Sequence, residues 1–149
     1  MIEYRVVENL DVEKLDVEAA RDLYRSCTLG ARRPIEDDAR FSSMLQNANL
    51  VVAAWDDELL VGIARTLTDW SYVSYVADLA VRESHQKRGI GIELLRKTRE
   101  AAPQTQLVLF AAPQAENYYG RIGFTYRPSG WMLKPDEPLG RPGIEYSNG

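Results

Sequence analysis

The sequence predicts an α/β protein of mixed α+β type: a central mixed, mostly antiparallel sheet with helices on both faces. Strand-type apolar runs crowd the middle of the chain, at Leu50–Trp55, Leu59–Leu67 and Val73–Val81. The first two are separated only by Asp56-Asp57-Glu58, a hairpin signal that makes them antiparallel neighbours. Helix-spaced segments stand before and after these runs, which argues against a wholly parallel sheet. With 149 residues the chain is long enough to bury a sizeable core, and residues 1–149 are expected to form a single domain.

The elements follow in order. Glu3 to Val7 predicts a short strand. From Asp16, an N-cap residue type, Val17, Ala20, Leu23, Tyr24 and Cys27 fall on one helical face. After the loop TLGARRP, Pro34 with Glu36, Asp37 and Asp38 reads as the acidic start of a second helix, with Phe41, Met44, Leu45 and Ala48 inward. Beyond the three middle strands comes a long helix with Ile90, Leu94, Leu95 and Thr98 on its buried face. Its outer face offers Glu93–Lys97 and Arg96–Glu100 as i,i+4 pairs. Gln106–Ala111 predicts a buried strand, Gln114–Arg121 a short helix and Thr125–Lys134 a last strand. The Pro- and Gly-rich residues 135–149 are expected to form an extended C-terminal tail.

Composition narrows the function classes. The formal net charge of −4 gives no reason to expect a nucleic-acid partner. No apolar run approaches the ~18 residues of a membrane span, and the N-terminal stretch does not read as a signal peptide. Cys27 is the one cysteine, so an internal disulfide is excluded and a cytoplasmic location is expected. Cys27 itself reads as a small core residue.

The segment ESHQKRGIGIELLRKTRE carries the main chemical signal. Gly89 and Gly91 flank Ile90 at the start of a helix, just behind Lys87 and Arg88. A helix start presents unpaired backbone N–H groups and a partial positive charge, and glycine lets a ligand approach them. A phosphate seat is one reading; a tight turn with two solvated bases is the other. The spelling is not that of a P-loop. It also lacks the third glycine of a dinucleotide loop, since Leu94 stands there.

The spelling that fits is Gln86-x-x-Gly89-x-Gly91 between a strand (YVADLAV) and a helix. It resembles the pyrophosphate loop Q/R-x-x-G-x-G/A of the GNAT superfamily of acetyl-CoA-dependent N-acetyltransferases. Downstream, AENYYGRIGF (Ala115 to Phe124) resembles that family's second signature, A-x-x-F-Y-x-x-x-G-F. The resemblance implies a GNAT-like sheet splayed between strands four and five. Leu79, Ala80 and Val81 are then expected to face the pantetheine arm of acetyl-CoA. Gln86, Lys87, Arg88, Gly89, Ile90 and Gly91 are expected to hold its diphosphate. No metal is implied. Many relatives carry an Asn where Ala112 stands, and Asn117 is the nearby substitute.

The resemblance further implies acetyl transfer to a primary amine by direct attack, with Tyr119 as general acid for the leaving thiol; Tyr118, at the motif's first aromatic position, reads as a core residue. Asp78, Asp69 and a water chain are the alternatives for a base; His85 reads as an exposed loop residue rather than a catalytic one. Arg32 and Arg33 are candidates for binding an acceptor carboxylate, or else for pairing with Glu36 and Asp37 or facing water. Trp70, Tyr72 and Tyr75 are candidate pocket walls. A small-molecule amine is the favoured acceptor; a protein N-terminus or lysine, and a non-catalytic acyl-CoA-binding regulatory module, are the alternatives. A homodimer would agree with the resemblance.

Overall fold

The computed structural model describes residues 1–8, 15–140 and 143. The chain forms two compact units, Met1–Ala111 and Ala112–Gly149. The first runs β1 (Ile2–Glu8), α1 (Val17–Arg25), α2 (Asp38–Asn47), β2 (Leu50–Asp56), β3 (Leu59–Thr68), β4 (Val73–Val81), α3 (Ile90–Ala101) and β5 (Gln106–Val108), with a 3-10 turn over Thr28–Arg32. The strands lie in sequence order, β1-β2-β3-β4-β5. The β1–β2, β2–β3 and β3–β4 pairs are antiparallel, and β4–β5 is parallel.

The expected hairpin turns at Asp57, whose φ is 51°, between β2 and β3. Asp16 caps α1 through a carboxylate that accepts from the Glu18 N–H at 3.0 Å. The second helix starts later than Pro34. The Asp37 carboxylate accepts from the Arg40 N–H at 3.1 Å, making Asp37 the cap and leaving Pro34 and Glu36 in the connection.

Helices cover both faces of the sheet. On one, Leu23 and Tyr24 of α1 and Phe41 and Leu45 of α2 join Val51, Ala53, Ile63 and Ala80 in a buried cluster. Tyr24 and Phe41 meet edge to face, with centroids 5.2 Å apart. On the other face, Ile90 and Leu94 of α3 pack on Val52, Ala54, Val61 and Ala64. Each such Leu or Ile contributes about 1.5–3 kcal/mol by leaving water. Cys27 is half-buried against the first cluster, in keeping with its expected packing role. On the outer face of α3, Arg96 pairs with Glu93 one turn back.

Two strand expectations need correcting. β5 spans only Gln106–Val108, where its ladder with β4 ends, and Phe110 beyond it is 57% exposed. Thr125–Lys134 forms no strand; Trp131 and Met132 there are exposed, and no strand of the second unit's described residues is available to pair with it. In that unit a 3-10 turn at Pro113–Ala115 leads into α4 (Glu116–Arg121), so the expected helix begins two residues late. Part of the expected tail, residues 141–142 and 144–149, lies outside the described residues. Among the described residues, no helix is long and apolar enough to cross a membrane.

Candidate functional site

β4 is the strand from which the site is built. β5 accompanies it for three residues, Val73–Tyr75 facing Gln106–Val108, and from there to Val81 no strand among the described residues pairs with β4 on that side. The ladder between the two strands thus ends at Tyr75 and Val108. On its other side β4 pairs with β3 throughout, but Asp78 faces Arg65 while Val76 faces Thr66, so Ala77 is an extra residue in the ladder. Such a bulge kinks a strand and re-aims its backbone.

Beyond the bulge the phase is set by Arg82, whose N–H donates to the Val61 carbonyl at 2.8 Å. Alternation then turns the backbone of Ala80 and Asp78 to β3, and that of Leu79 and Val81 to the opposite side, where β4 has no strand partner among the described residues. Two carbonyls on this stretch accept from side chains: Ala77 from Arg33 Nη2 and Val81 from Gln86 Nε2, both at 3.0 Å.

The glycine loop follows directly. A single 3-10 turn, Glu83–His85, brings the chain round. Lys87 at φ 61° and Gly89 at φ 81° both adopt left-handed backbone, and Gly89 caps α3. A Cβ on Gly89 would meet nothing within 4 Å, so the backbone angle, not crowding, calls for glycine there. The first helical bond runs from the Glu93 N–H to the Gly89 carbonyl, so the N–H groups of Ile90, Gly91 and Ile92 precede the helical ladder. Gln86, Lys87, Arg88 and Gly89 are exposed, while the Ile90 side chain is buried in the core beneath them. Backbone N–H groups at an exposed helix start can accept an anion, and these follow directly on the stretch of β4 that has no strand partner on one side among the described residues.

His85 is not an exposed loop residue. It is 8% exposed, with Nδ1 2.7 Å from Ser84 Oγ and Nε2 2.9 Å from Asp56 Oδ2, tying the turn to the end of β2. That contact holds the Asp56 carboxylate below its ordinary range.

Neither carboxylate considered as a base is placed for the task. Asp78 is 1% exposed and points into the first core. Its Oδ1 accepts from Arg33 Nε at 2.6 Å; its Oδ2 accepts from Arg65 Nε at 2.5 Å and from the Tyr24 hydroxyl at 2.7 Å. Burial pushes its pKa up, but Arg65, Arg33 and Tyr24 together hold it below the ordinary value. Asp69 accepts from the N–H groups of Tyr72, Ser71 and Val73, and these bonds lower its pKa.

Arg33 therefore binds Asp78, not Glu36 or Asp37; Glu36 pairs with Arg25 instead. The connection between α1 and α2 walls an open cavity of about 400 Å³ between Arg25, Gly30, Arg33 and Ile35. Trp70 and Tyr72 lie in the turn between β3 and β4, beside the β4–β5 ladder, where the Gln106 N–H donates to the Tyr72 carbonyl. Trp70 holds a φ of 63°, uncommon for a bulky residue.

Leu79, Ala80, Val81 and Gln86 through Gly91 are thus brought together in the first unit. Asn117 and Tyr119 belong to the second, both on α4. Asn117 is exposed. The half-buried Tyr119 stacks edge to face on Phe124 at 5.6 Å and on Tyr118 at 5.3 Å, and its carbonyl accepts from the Phe124 N–H at 2.9 Å. Sequence reasoning missed the roles of Arg33 and Gln86 on the β4 edge. A Gln at the loop's first position was visible, but nothing local marked the bulge at Ala77.

Comparison with known proteins gives a concordant picture. A family model described as "Acetyltransferase (GNAT) domain" matches residues 32–129. An uncharacterized ycf52-like N-acetyltransferase of Prochlorococcus marinus is 32% identical over 108 residues, covering 67% of this chain and 58% of that protein. A probable acetyltransferase of Glycine max is 26% identical, over 73% of this chain and 49% of its own length. The chain thus spans about half to two-thirds of the curated relatives it matches. Among solved structures, a GNAT-family acetyltransferase from Streptococcus pneumoniae superposes with a TM-score of 0.70 at 23% identity, covering 92% of this chain and 100% of that one. An aminoglycoside N-acetyltransferase in complex with CoA gives 0.69 at 14% identity, over 91% and 95%.

Proposed function

This chain belongs to the GNAT acetyltransferase family, and from that premise we propose that it transfers an acetyl group from acetyl-CoA to the primary amine of a small molecule. The observation that carries the reading is one juxtaposition: an open β4 edge at Leu79 and Val81, followed at once by an exposed, glycine-capped helix start. The pantetheine arm is peptide-like, and its amides pair with Leu79 and Val81 past Ala80 as a strand would. The diphosphate rests on the N–H groups from Gln86 to Gly91, with Lys87 and Arg88 contributing field rather than fixed bonds. Asn117 adds a side-chain contact. The CoA bound to the aminoglycoside acetyltransferase of similar fold supports this choice of cosubstrate.

In the reaction the neutral amine attacks the thioester carbonyl, and coenzyme A leaves as a thiol. At a pKa of ~10.4 only about one alkyl amine in 2,500 is neutral at pH 7, a cost of roughly 4.6 kcal/mol. Asp78 and Asp69, held ionised and fully engaged, do not relieve it, so water carries that proton. Tyr119 donates to the departing sulfur. Full transfer from a phenol near pKa 10 to a thiol near 8.5 is uphill by ~2 kcal/mol, so the contribution falls near the lower part of the usual ~10²–10⁴ range. The cavity beside Arg25 and Arg33 is the acceptor candidate. With Arg33 engaged by Asp78 and Arg25 by Glu36, it favours a cationic amine over a carboxylate.

Calorimetric titration with acetyl-CoA tests the cosubstrate directly, run beside a Gly89→Glu variant. Binding by the wild type and its loss in the variant are expected; a folded wild type that takes up no acetyl-CoA ends the proposal. Tyr119→Phe is expected to lower turnover, followed by thiol release across an amine panel, more than it lowers acetyl-CoA affinity. Equal turnover would remove Tyr119 from the mechanism.

A further inference from the structure

The open edge of β4 has two ends, and a side chain closes each. At the loop end Gln86 Nε2 donates to the Val81 carbonyl; at the other, Arg33 Nη2 donates to the carbonyl of the bulged Ala77. Between them the strand rises about 3.3 Å per residue, which leaves an edge on the order of 13 Å long. That is room for a short extended chain with one or two amides, and too little for a protein strand of ordinary length.

The closure at Ala77 is the stiffer of the two. Arg33 Nε sits 2.6 Å from the Oδ1 of Asp78, a carboxylate 1% exposed and held from its other oxygen by Arg65 and Tyr24. Arg33 Nη1 also donates to the Arg32 carbonyl at 2.9 Å. Moving the guanidinium away from the edge would strand part of a buried ion pair, so it stands as a fixed wall. Gln86, by contrast, is exposed, and its side chain makes this one hydrogen bond among the described contacts.

We propose that Arg33 is a specificity-determining residue that limits the length of the acyl group. The inference rests on the coenzyme reading above. With the diphosphate at Gln86–Gly91 and the arm running back past Val81 and Leu79, the thioester and its acyl group point along β4 toward Ala77. The guanidinium closes that end. An acetyl group stops short of it, and each further methylene runs into a side chain that a buried carboxylate keeps from yielding. Discrimination of one methylene by a shaped pocket is typically about 10–200-fold, which is the range in which this wall acts.

The test uses binding, so it needs no acceptor. Affinities for acetyl-CoA and butyryl-CoA are measured by calorimetry on the wild type, Arg33→Ala and Arg33→Gln, with thermal unfolding on the same samples to establish folding. The wild type is expected to favour acetyl-CoA by at least about tenfold. In Arg33→Ala the ratio falls toward one, chiefly because butyryl-CoA binds more tightly. Arg33→Gln, which retains more of the side chain's length, gives an intermediate ratio and serves if the alanine variant does not fold. A purely structural role would weaken both ligands together; an unchanged ratio in a folded variant overturns the proposal and leaves the coenzyme site standing. A wild type that binds neither acyl-CoA nor coenzyme A overturns both.

Discussion

The hydroxyl of Tyr24 donates to Oδ2 of Asp78 across 2.7 Å, joining α1 to β4 inside the first core. Both side chains are buried, Tyr24 completely, and the same carboxylate oxygen accepts from Arg65. Tyr24→Phe keeps the ring against Phe41 and removes only this bond, while Asp78 retains both guanidinium partners. Hydrogen bonds to charged groups contribute about 1.5–3 kcal/mol, so a loss in that range is expected from urea unfolding at pH 7. Burial and the Asp78 carboxylate push the Tyr24 phenol well above its ordinary value. A group raised in the folded state contributes stability that is whole below its unfolded pKa, ~10, and is lost as pH rises beyond it. Wild-type stability should therefore fall more steeply than that of Tyr24→Phe above about pH 10. Parallel alkaline limbs would show that the phenol is not held as described.

The acid side has the opposite sign. Asp78 is depressed in the folded protein, because Arg65, Arg33 and Tyr24 outweigh the upward push of burial. Its contribution is present above the unfolded carboxylate value, ~3.9, and is lost as pH falls through the lower folded value. Asp56 and Asp69 are depressed as well, and they add to the same limb, though their exposure to solvent weakens the effect. Thermal unfolding between pH 7 and pH 2.5 should give a plateau and then a fall that begins near pH 4. Asp78→Asn, which leaves two guanidiniums short of a charge, should cost about 3–5 kcal/mol at pH 7 and show a shallower fall. Wild-type stability unchanged at pH 3 would contradict the ion-pair network.

These residues also mark where the sequence stops being legible. Helix faces, the Asp56–Glu58 hairpin and the strand-to-glycine-loop junction are local patterns, with periods and turn residues that show in a few consecutive letters. The partner of a buried charge is not local. Arg33 stands next to Glu36 and Asp37 in sequence, yet it pairs with Asp78, 45 residues away, because β4 brings that carboxylate beneath the α1–α2 connection. Strand length is not local either. Gln106–Ala111 and Thr125–Lys134 have suitable composition, but a strand persists only where a ladder partner runs beside it, and the β4–β5 ladder ends after three residues. Within the candidate site, glycines and bases were readable, whereas the bulge at Ala77 that gives the open edge its end was not.

Gly30 tests how tightly the α1–α2 connection is built. A Cβ there would stand 2.7 Å from the Tyr24 carbonyl oxygen and 3.0 Å from its carbon, both backbone atoms of α1. At Gly62 the close atoms are side-chain ones, Cδ1 of Leu94 at 2.9 Å and Cγ2 of Ile90 at 3.1 Å, with no backbone among them. Gly30→Ala must displace the connection or the end of α1, costing about 1–3 kcal/mol, whereas Gly62→Ala should cost less. Chemical unfolding of the two variants decides it; the reverse order would mean that the connection moves easily.

Thr66 lies on β3 with its side chain completely buried, and Oγ1 is the one side-chain polar atom among the described residues that is buried without a hydrogen-bond partner. Its neighbours along the sheet manage their hydroxyls differently: Ser74 bonds both Thr68 and Thr105. A buried hydroxyl without a partner carries a desolvation cost of about 1–3 kcal/mol, which the folded state bears and the unfolded chain does not. Valine keeps the β-branched shape that suits a strand and removes the oxygen. Thr66→Val should therefore stabilise the protein, by about 1 kcal/mol, measured as a higher urea midpoint at unchanged slope. A lower midpoint would mean that the hydroxyl has a partner in solution, and a changed slope that the substitution alters how much surface unfolding exposes.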